Sequence, residues 1–220
     1  MGDRAAKDAL YDGFSVVAKA LANGRRAEIV DVLSQGERSV EELAAEIGQS
    51  VANTSQHLRH LAGAGLVSAR RDGNRVFYAP TSPQVMHLWT ALRAVAADHV
   101  AQIDRLAAAY LGDRDGLETI TRDELARRLR TGEVVVLDVR PAAEYRAGHI
   151  LGARSVPMAV LHAELDRLPA DQDVVAYCRG PYCVYADDAV RELRRRGRPA
   201  RRLEDGYPEW ADAGLPTAPG

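Results

Sequence analysis

Apolar residues recur at Leu10, Phe14, Val17 and Leu21, the 4-3-4 spacing of one helical face, which predicts a helix over 4–22 ended by Asn23-Gly24. A second helix, 25–33, carries Ile29, Val30 and Leu33. Ser39 and Glu42 form the ends of a capping box and open a third helix with Leu43, Ala44 and Ile47 inward, stopped at Gly48. Ser50 caps a fourth, 51–62. Leu58 and Leu61 face inward there, while Asn53, Thr54, Gln56, His57, Arg59 and His60 form a polar side. Two strand-like runs follow, 66–71 and 75–79, joined by the turn Asp72-Gly73-Asn74. Two short capped helices followed by a basic-tipped hairpin read as a helix-turn-helix with a wing. Ser82-Pro83 then opens a long helix predicted to reach Leu111. Its stripe is Val85, Trp89, Leu92, Ala96, His99, Ile103, Leu106 and Tyr110, and with the first helix it offers a dimer face.

Beyond a polar, glycine-bounded stretch from Gly112 to Gly116 the pattern changes. Thr121 and Glu124 cap a helix bearing Leu125 and Leu129. Apolar strands are predicted at 133–140 and 173–177, a helix at 184–196 with Ala186, Ala189, Val190 and Leu193 on one side, and a last strand near 200–203. Alternating strands and helices predict a mostly parallel α/β sheet, whose sites lie beyond the carboxyl ends of strands. The expected division is 1–111 for an α+β winged-helix domain for DNA binding and dimerisation, 112–118 for a linker, and 119–220 for the α/β domain.

Composition adds limits. A chain of 220 residues has room for two small domains, and a net charge of −2 argues against a general polyanion binder while leaving room for a local basic face. No apolar run approaches the roughly 20 residues that span a bilayer. The segment after Met1 lacks an apolar signal core, so no membrane association and a cytoplasmic location are expected. Both cysteines of the chain stand in Tyr177-Cys178-Arg179-Gly180-Pro181-Tyr182-Cys183. That loop joins a buried strand to a helix N-terminus, where inward N–H groups and the helix end favour a thiolate at Cys178. The alternative is a pair of small buried apolar residues.

The segments Ala20-Leu21-Ala22-Asn23-Gly24-Arg25-Arg26, Ser55-Gln56-His57-Leu58-Arg59-His60-Leu61 and Gly65-Leu66-Val67 resemble the ArsR/SmtB family of winged-helix repressors. The resemblance implies a homodimer that binds a double-stranded DNA operator with an inverted repeat. It places Ser50, Asn53, Thr54, Ser55, Gln56, His57 and Arg59 on the recognition helix, and Arg70, Arg71 and Arg75 on a wing that meets phosphates. Many members bind metals through cysteines at the start of the third helix. Here that place reads Ser39-Val40-Glu41-Glu42, so no thiolate metal site is expected, nor any cofactor.

The second half resembles the rhodanese family. The supporting pieces are Leu137-Asp138-Val139-Arg140, Glu144-Tyr145, Gly148-His149-Ile150, Gly152-Ala153-Arg154-Ser155-Val156-Pro157, the cysteine loop, and Glu204-Asp205-Gly206-Tyr207-Pro208-Glu209-Trp210. The resemblance implies Cys178 as the persulfide-carrying nucleophile, in a loop of sulfur-transferring length that includes Arg179 and Gly180. Asp138, Arg140, Glu144 and His149 are expected to hold strand ends and turns. The loop departs from the family in its third, fourth and sixth places, Gly180, Pro181 and Cys183. Pro181 removes a backbone donor, and Cys183 is a candidate resolving thiol for a persulfide on Cys178. The leading expectation is a repressor sensing reactive sulfur (polysulfide, persulfide or thiosulfate) or redox state through Cys178 and Cys183. The alternatives are a sulfurtransferase with an autoregulatory or tethering winged helix, and a metal-responsive repressor.

Overall fold

The computed structural model describes residues 2–169 and 172–219. Contacts divide the chain into two compact units, Met1–Ala96 and Ala97–Gly220.

The first unit begins with α1 (Arg4–Leu21), α2 (Gly24–Leu33), β1 (Arg38–Ser39), α3 (Val40–Glu46) and α4 (Val51–Gly63). β2 (Val67–Asp72), β3 (Arg75–Pro80) and α5 (Pro83–His99) follow, the last running across the division. The predicted punctuation is present. Asn23 does more than end α1: its side chain accepts from the N–H groups of Arg25 and Arg26 and so caps α2. Ser39 and Glu42 complete a reciprocal capping box on α3. Gly48 and Gly73 take positive φ, the conformation glycine adopts without steric cost. β2 and β3 pair antiparallel from Val67↔Pro80 to Asp72↔Arg75, and β1 adds a third strand by pairing with β3. Ile29, Val30, Leu33, Leu43, Ile47, Leu58, Leu61 and Val85 form one core. This is a winged helix-turn-helix.

One predicted element differs. The helix expected to reach Leu111 stops at His99, and α6 (Ile103–Leu111) starts after a turn in which Ile103 N–H donates to the Val100 carbonyl. Neither glycine nor proline stands between Pro83 and Gly112, and the apolar repeat runs through the break, so periodicity could not show it.

The second unit continues with β4 (Thr119–Ile120), α7 (Arg122–Thr131), β5 (Val134–Asp138), α8 (Ala142–Ala147), β6 (His149–Ile150), β7 (Arg154–Ser155) and α9 (Leu161–Glu164). It ends with β8 (Asp173–Tyr177), α10 (Val184–Arg195), β9 (Ala200–Leu203), α11 (Tyr207–Asp212) and β10 (Thr217–Ala218). Five strands form a parallel sheet in the order β4-β9-β8-β5-β7, while β6 and β10 make a small antiparallel pair. The central strands are buried on both faces, as their near-continuous apolar runs require. Side chains alternate across the sheet. Val135, Leu137, Val174 and Ala176 pack with Ala186, Ala189, Val190 and Leu193 of α10. Val134, Val136, Val175 and Tyr177 pack with Leu125, Ile150 and Trp210 on the opposite face. The same alternation carries Cys178 to the α10 side. This architecture is the rhodanese-like fold. Among the described residues, no helix is long and apolar enough to cross a membrane.

Candidate functional site

Two sets of predicted site residues can be placed. On α4, Ser50 uses its hydroxyl to accept from Asn53 N–H and so caps the helix, as expected. Asn53, Gln56 and Arg59 are exposed, and Ser55 and His57 are half-buried. Thr54 is a correction. It is fully buried and its hydroxyl donates to the Ser50 carbonyl, so it holds the first turn against the core and offers nothing to a partner. The His57 imidazole is held below the usual histidine range, first by burial and then by the cations Arg26 and His60.

Arg70, Arg71 and Arg75 stand exposed on the hairpin. Arg70 forks onto Glu37, with Nη2 to Oε2 at 2.6 Å, and also reaches Asp72. Arg75 lies 3.8 Å from Glu42, and both arginines flank the Phe77 ring. Sequence reasoning missed these carboxylate partners, because Glu37 meets Arg70 only once β1 joins the hairpin.

The cysteine loop leaves the carboxyl end of β8 beside that of β5, where Tyr177 pairs with Asp138 in register. Cys178 and Cys183 form a disulfide across it, with Cα atoms 6.2 Å apart, inside the span such a bond needs. The expected thiolate is therefore the reduced counterpart of the form seen here. Cys178 is 1% exposed, whereas Cys183 is half-buried at the N-cap of α10. Cys183 N–H donates to the Gly180 carbonyl, and Tyr207 N–H donates to the Cys178 carbonyl.

Three buried carboxylates hold the surroundings. Asp138 receives three nitrogens of Arg140, the backbone N–H at 3.0 Å, Nε at 3.0 Å and Nη2 at 2.6 Å, and the Tyr177 hydroxyl donates to it. Burial, and then the Asp138 charge, push the Tyr177 hydroxyl well above the usual tyrosine range, so it remains a donor. Arg140 also donates to the Gly148 carbonyl and lies 4.4 Å from the centre of the Tyr207 ring. Glu144 takes Arg179, with Nη2 to Oε1 at 2.6 Å and Nε at 3.1 Å. The Arg179 guanidinium is thus engaged with a buried carboxylate. Asp187, fully buried on α10, is the third: Arg114 Nε donates to it at 2.6 Å, and Arg202 stands 3.4 Å away. The positions expected to brace turns, Asp138, Arg140, Glu144 and His149, are all buried, and His149 stacks on Tyr145.

Gly206 completes the loop's frame. A Cβ there would stand 2.3 Å from the Gly180 nitrogen and 2.4 Å from the Arg179 carbonyl carbon, so only glycine lets the two backbones approach. Arg114, Asp187 and Gly206 were not singled out by sequence reasoning. A glycine beside a long-range turn was the one signal available, and for Arg114 and Asp187 there was none. Among the described residues no cluster of histidine, cysteine and carboxylate side chains could hold a metal ion.

Comparison with known proteins agrees with both halves. The model of the bacterial regulatory protein arsR family matches residues 23–69, and that of the rhodanese-like domain matches 121–213. The chain is 48% identical to the HTH-type transcriptional regulator Rv0324 of Mycobacterium tuberculosis over 214 residues, 97% of this chain and 94% of that protein. It is 35% identical over 98 residues to a sulfurtransferase of Allochromatium vinosum, covering 44% of this chain and 91% of that protein. Among solved structures, the homodimeric winged helix-turn-helix DNA-binding domain of Mb0332 from Mycobacterium bovis is 42% identical, covers 46% of this chain and 93% of its own, and superposes with a TM-score of 0.43. The chain belongs to the arsR family of bacterial transcriptional regulators and carries a rhodanese-like domain behind its winged helix.

Proposed function

We propose that this regulator binds an inverted-repeat DNA operator as a homodimer and that its second unit adjusts the binding by sensing reactive sulfur at Cys178 and Cys183. The observation that carries the reading is the bond between the chain's only two cysteines across the loop where a sulfur-carrying residue is expected. Asn53, Gln56 and Arg59 are the exposed side chains of α4 suited to base edges and phosphates. The exposed apolar side chains Leu10, Tyr11 and Phe14 of α1 and Leu92 and Val95 of α5 supply a dimer face. The 112–118 segment, proposed as the linker, joins α6 to β4 and falls within the second of the two units.

The chemistry balances without a cofactor. The Cys178 thiolate attacks the outer sulfur of a persulfide RS–SH, forming Cys178–S–SH and releasing RS⁻. The Cys183 thiolate then attacks the inner sulfur of Cys178, forming the disulfide and releasing HS⁻. Two electrons pass from the cysteines to the sulfane sulfur, and the two thiol protons pass to water or to the departing anions. Two cellular thiols restore the pair: the first enters at Cys183, the more exposed partner, and releases the Cys178 thiolate, and the second attacks that mixed disulfide, releases the Cys183 thiolate and leaves with the first as their own disulfide. Arg179 engaged with Glu144, and Pro181 lacking an N–H, leave the loop poorly equipped for a doubly charged anion such as thiosulfate. Persulfides and polysulfides are therefore the preferred inducers over thiosulfate.

A gel-shift titration of the full-length protein on the DNA upstream of its own gene tests the reading. Polysulfide is expected to weaken binding in the wild type and to leave Cys178→Ser unchanged. Equal release in that variant overturns sensing through the pair. Steady sulfur transfer to cyanide, with DNA affinity indifferent to sulfur, would instead favour the sulfurtransferase reading.

A further inference from the structure

The segment between α6 and β4 is bound at several points. Arg191 of α10 donates to the Asp113 carbonyl at 2.6 Å, Arg194 donates to the Gly116 carbonyl and pairs with Glu118, and Arg201 of β9 also pairs with Glu118. Asp115 N–H donates to the Asp113 carboxylate, and Leu117 N–H donates to the Arg114 carbonyl, so the segment is a turn. Leu117 packs against the α10 side of the core. These ties run to the body of α10 and β9.

The tie from Arg114 is of another kind. Its guanidinium donates at once to buried Asp187 (2.6 Å), to the Pro181 carbonyl (2.9 Å) and to the Cys183 carbonyl (3.5 Å). Asp187 is a fixed anchor in the first turn of α10 and the Cys183 carbonyl belongs to that helix's N-cap, while the Pro181 carbonyl lies within the six-residue ring that the disulfide closes. One planar fork therefore spans a rigid point and a point whose position depends on whether the ring is closed. The covalent path from this ring to the winged helix runs through Arg114 and the residues before it.

We propose that Arg114 is the positioning residue that passes the state of the cysteine pair to the connecting segment. In the disulfide form the ring holds the Pro181 carbonyl where the guanidinium reaches it. Reduction by two thiols, which leave as their own disulfide, opens the ring, frees Pro181 and Tyr182 between the Arg179–Glu144 pair and the N-cap of α10, and releases the Pro181 carbonyl from the fork. Arg114 then keeps only its partners at the start of α10, Asp187 and the Cys183 carbonyl, and the turn over 113–117 loosens. This deepens the sensing reading and rests on it, since it supplies the route by which that sensor reaches DNA binding.

Hydrogen exchange on the full-length protein, read by mass spectrometry over 112–118, tests the route without DNA. The disulfide form is made with polysulfide or, separately, with diamide, and the reduced form with dithiothreitol; thiol labelling verifies each. Amides of this segment are expected to exchange roughly tenfold more slowly in the disulfide form. Arg114→Lys keeps a cation opposite Asp187 but cannot fork, and Arg114→Ala removes both; each is expected to abolish the difference while the disulfide still forms. Arg191→Ala is expected to speed exchange equally in both states. Equal protection in the two wild-type states, or a full difference retained in Arg114→Lys, overturns the proposal, as does a pair that neither oxidant closes. If diamide closes the pair and polysulfide does not, the sulfur-sensing reading fails while the coupling is still decided by the exchange data.

Discussion

The two units use arginine in opposite ways. In the winged helix, Arg59, Arg70, Arg71 and Arg75 stand in solvent, where water screens them and a polyanion can reach them. In the rhodanese-like unit, Arg140 is fully buried on Asp138, and Arg179 and Arg114 bind carboxylates that are themselves fully buried. The near-neutral total charge hides this contrast. A guanidinium at the surface adds long-range attraction; one taken out of water onto a carboxylate contributes direction and fixes the backbone around it. The rhodanese-like unit accordingly sets the shape of a thiol loop, and the winged helix presents charge.

The contrast makes graded claims. The largest effect is expected for Asp138→Ala. It leaves the Arg140 cation buried without its partner and removes the acceptor of the Tyr177 hydroxyl, and is expected to destabilise the second unit by about 3–5 kcal/mol. Urea unfolding followed at Trp210 measures it; a loss under a tenth of that would mean Arg140 finds water and the burial argument is wrong. Next is Gly206→Ala. Its Cβ must displace the Arg179–Gly180 backbone, which is expected to cost about 1–3 kcal/mol and to slow closure of the disulfide. Closure followed by thiol labelling separates a displaced loop from general loosening.

Arg59→Ala tests the other side. With its side chain in solvent, stability is expected to change by less than about 0.5 kcal/mol, while DNA affinity falls and the salt dependence of binding loses roughly one unit of slope. Unchanged affinity would move the nucleic-acid face away from α4. The smallest effect belongs to Glu37. Its hydrogen bond to Arg70, and then the arginine charge, hold its carboxyl below the usual glutamate range. A depressed carboxylate contributes stability above its unfolded pKa and loses it as the pH falls through the folded value. The pair is largely exposed, so the contribution is small, present at neutral pH and gone in acid. An NMR titration of the Glu37 carboxyl checks it, and a midpoint at or above that of free glutamate would contradict the pairing.

Much of this molecule could be read from local chemistry. Capping residues at Ser39, Ser50 and Thr121, the Asn23-Gly24 stop after α1, glycines at positive φ, and apolar spacing along α3, α4, β5, β8 and α10 each act over a few residues, and each located its element. The Cys178–Cys183 loop was legible for the same reason: strand, turn and helix follow one another in the chain. Thr54 shows the limit of such reading. Its residue type put it with the polar side, although it stands four residues before Leu58 and seven before Leu61, on the buried face of the helix. The pause between α5 and α6 shows the same limit, since no residue type marks it.

Sequence alone determined that two units follow one another, one patterned for a helix-turn-helix and hairpin, the other for a parallel sheet with both cysteines after a central strand. It did so because periodicity and capping are short-range. Tertiary structure decided which partners met. Arg114 reaches Asp187 and the Pro181 carbonyl, Glu144 reaches Arg179, and Gly206 lies against Gly180, across separations that only the closed sheet brings together. Burial then selected among them, since a charge removed from water persists only where the fold delivers its counter-charge.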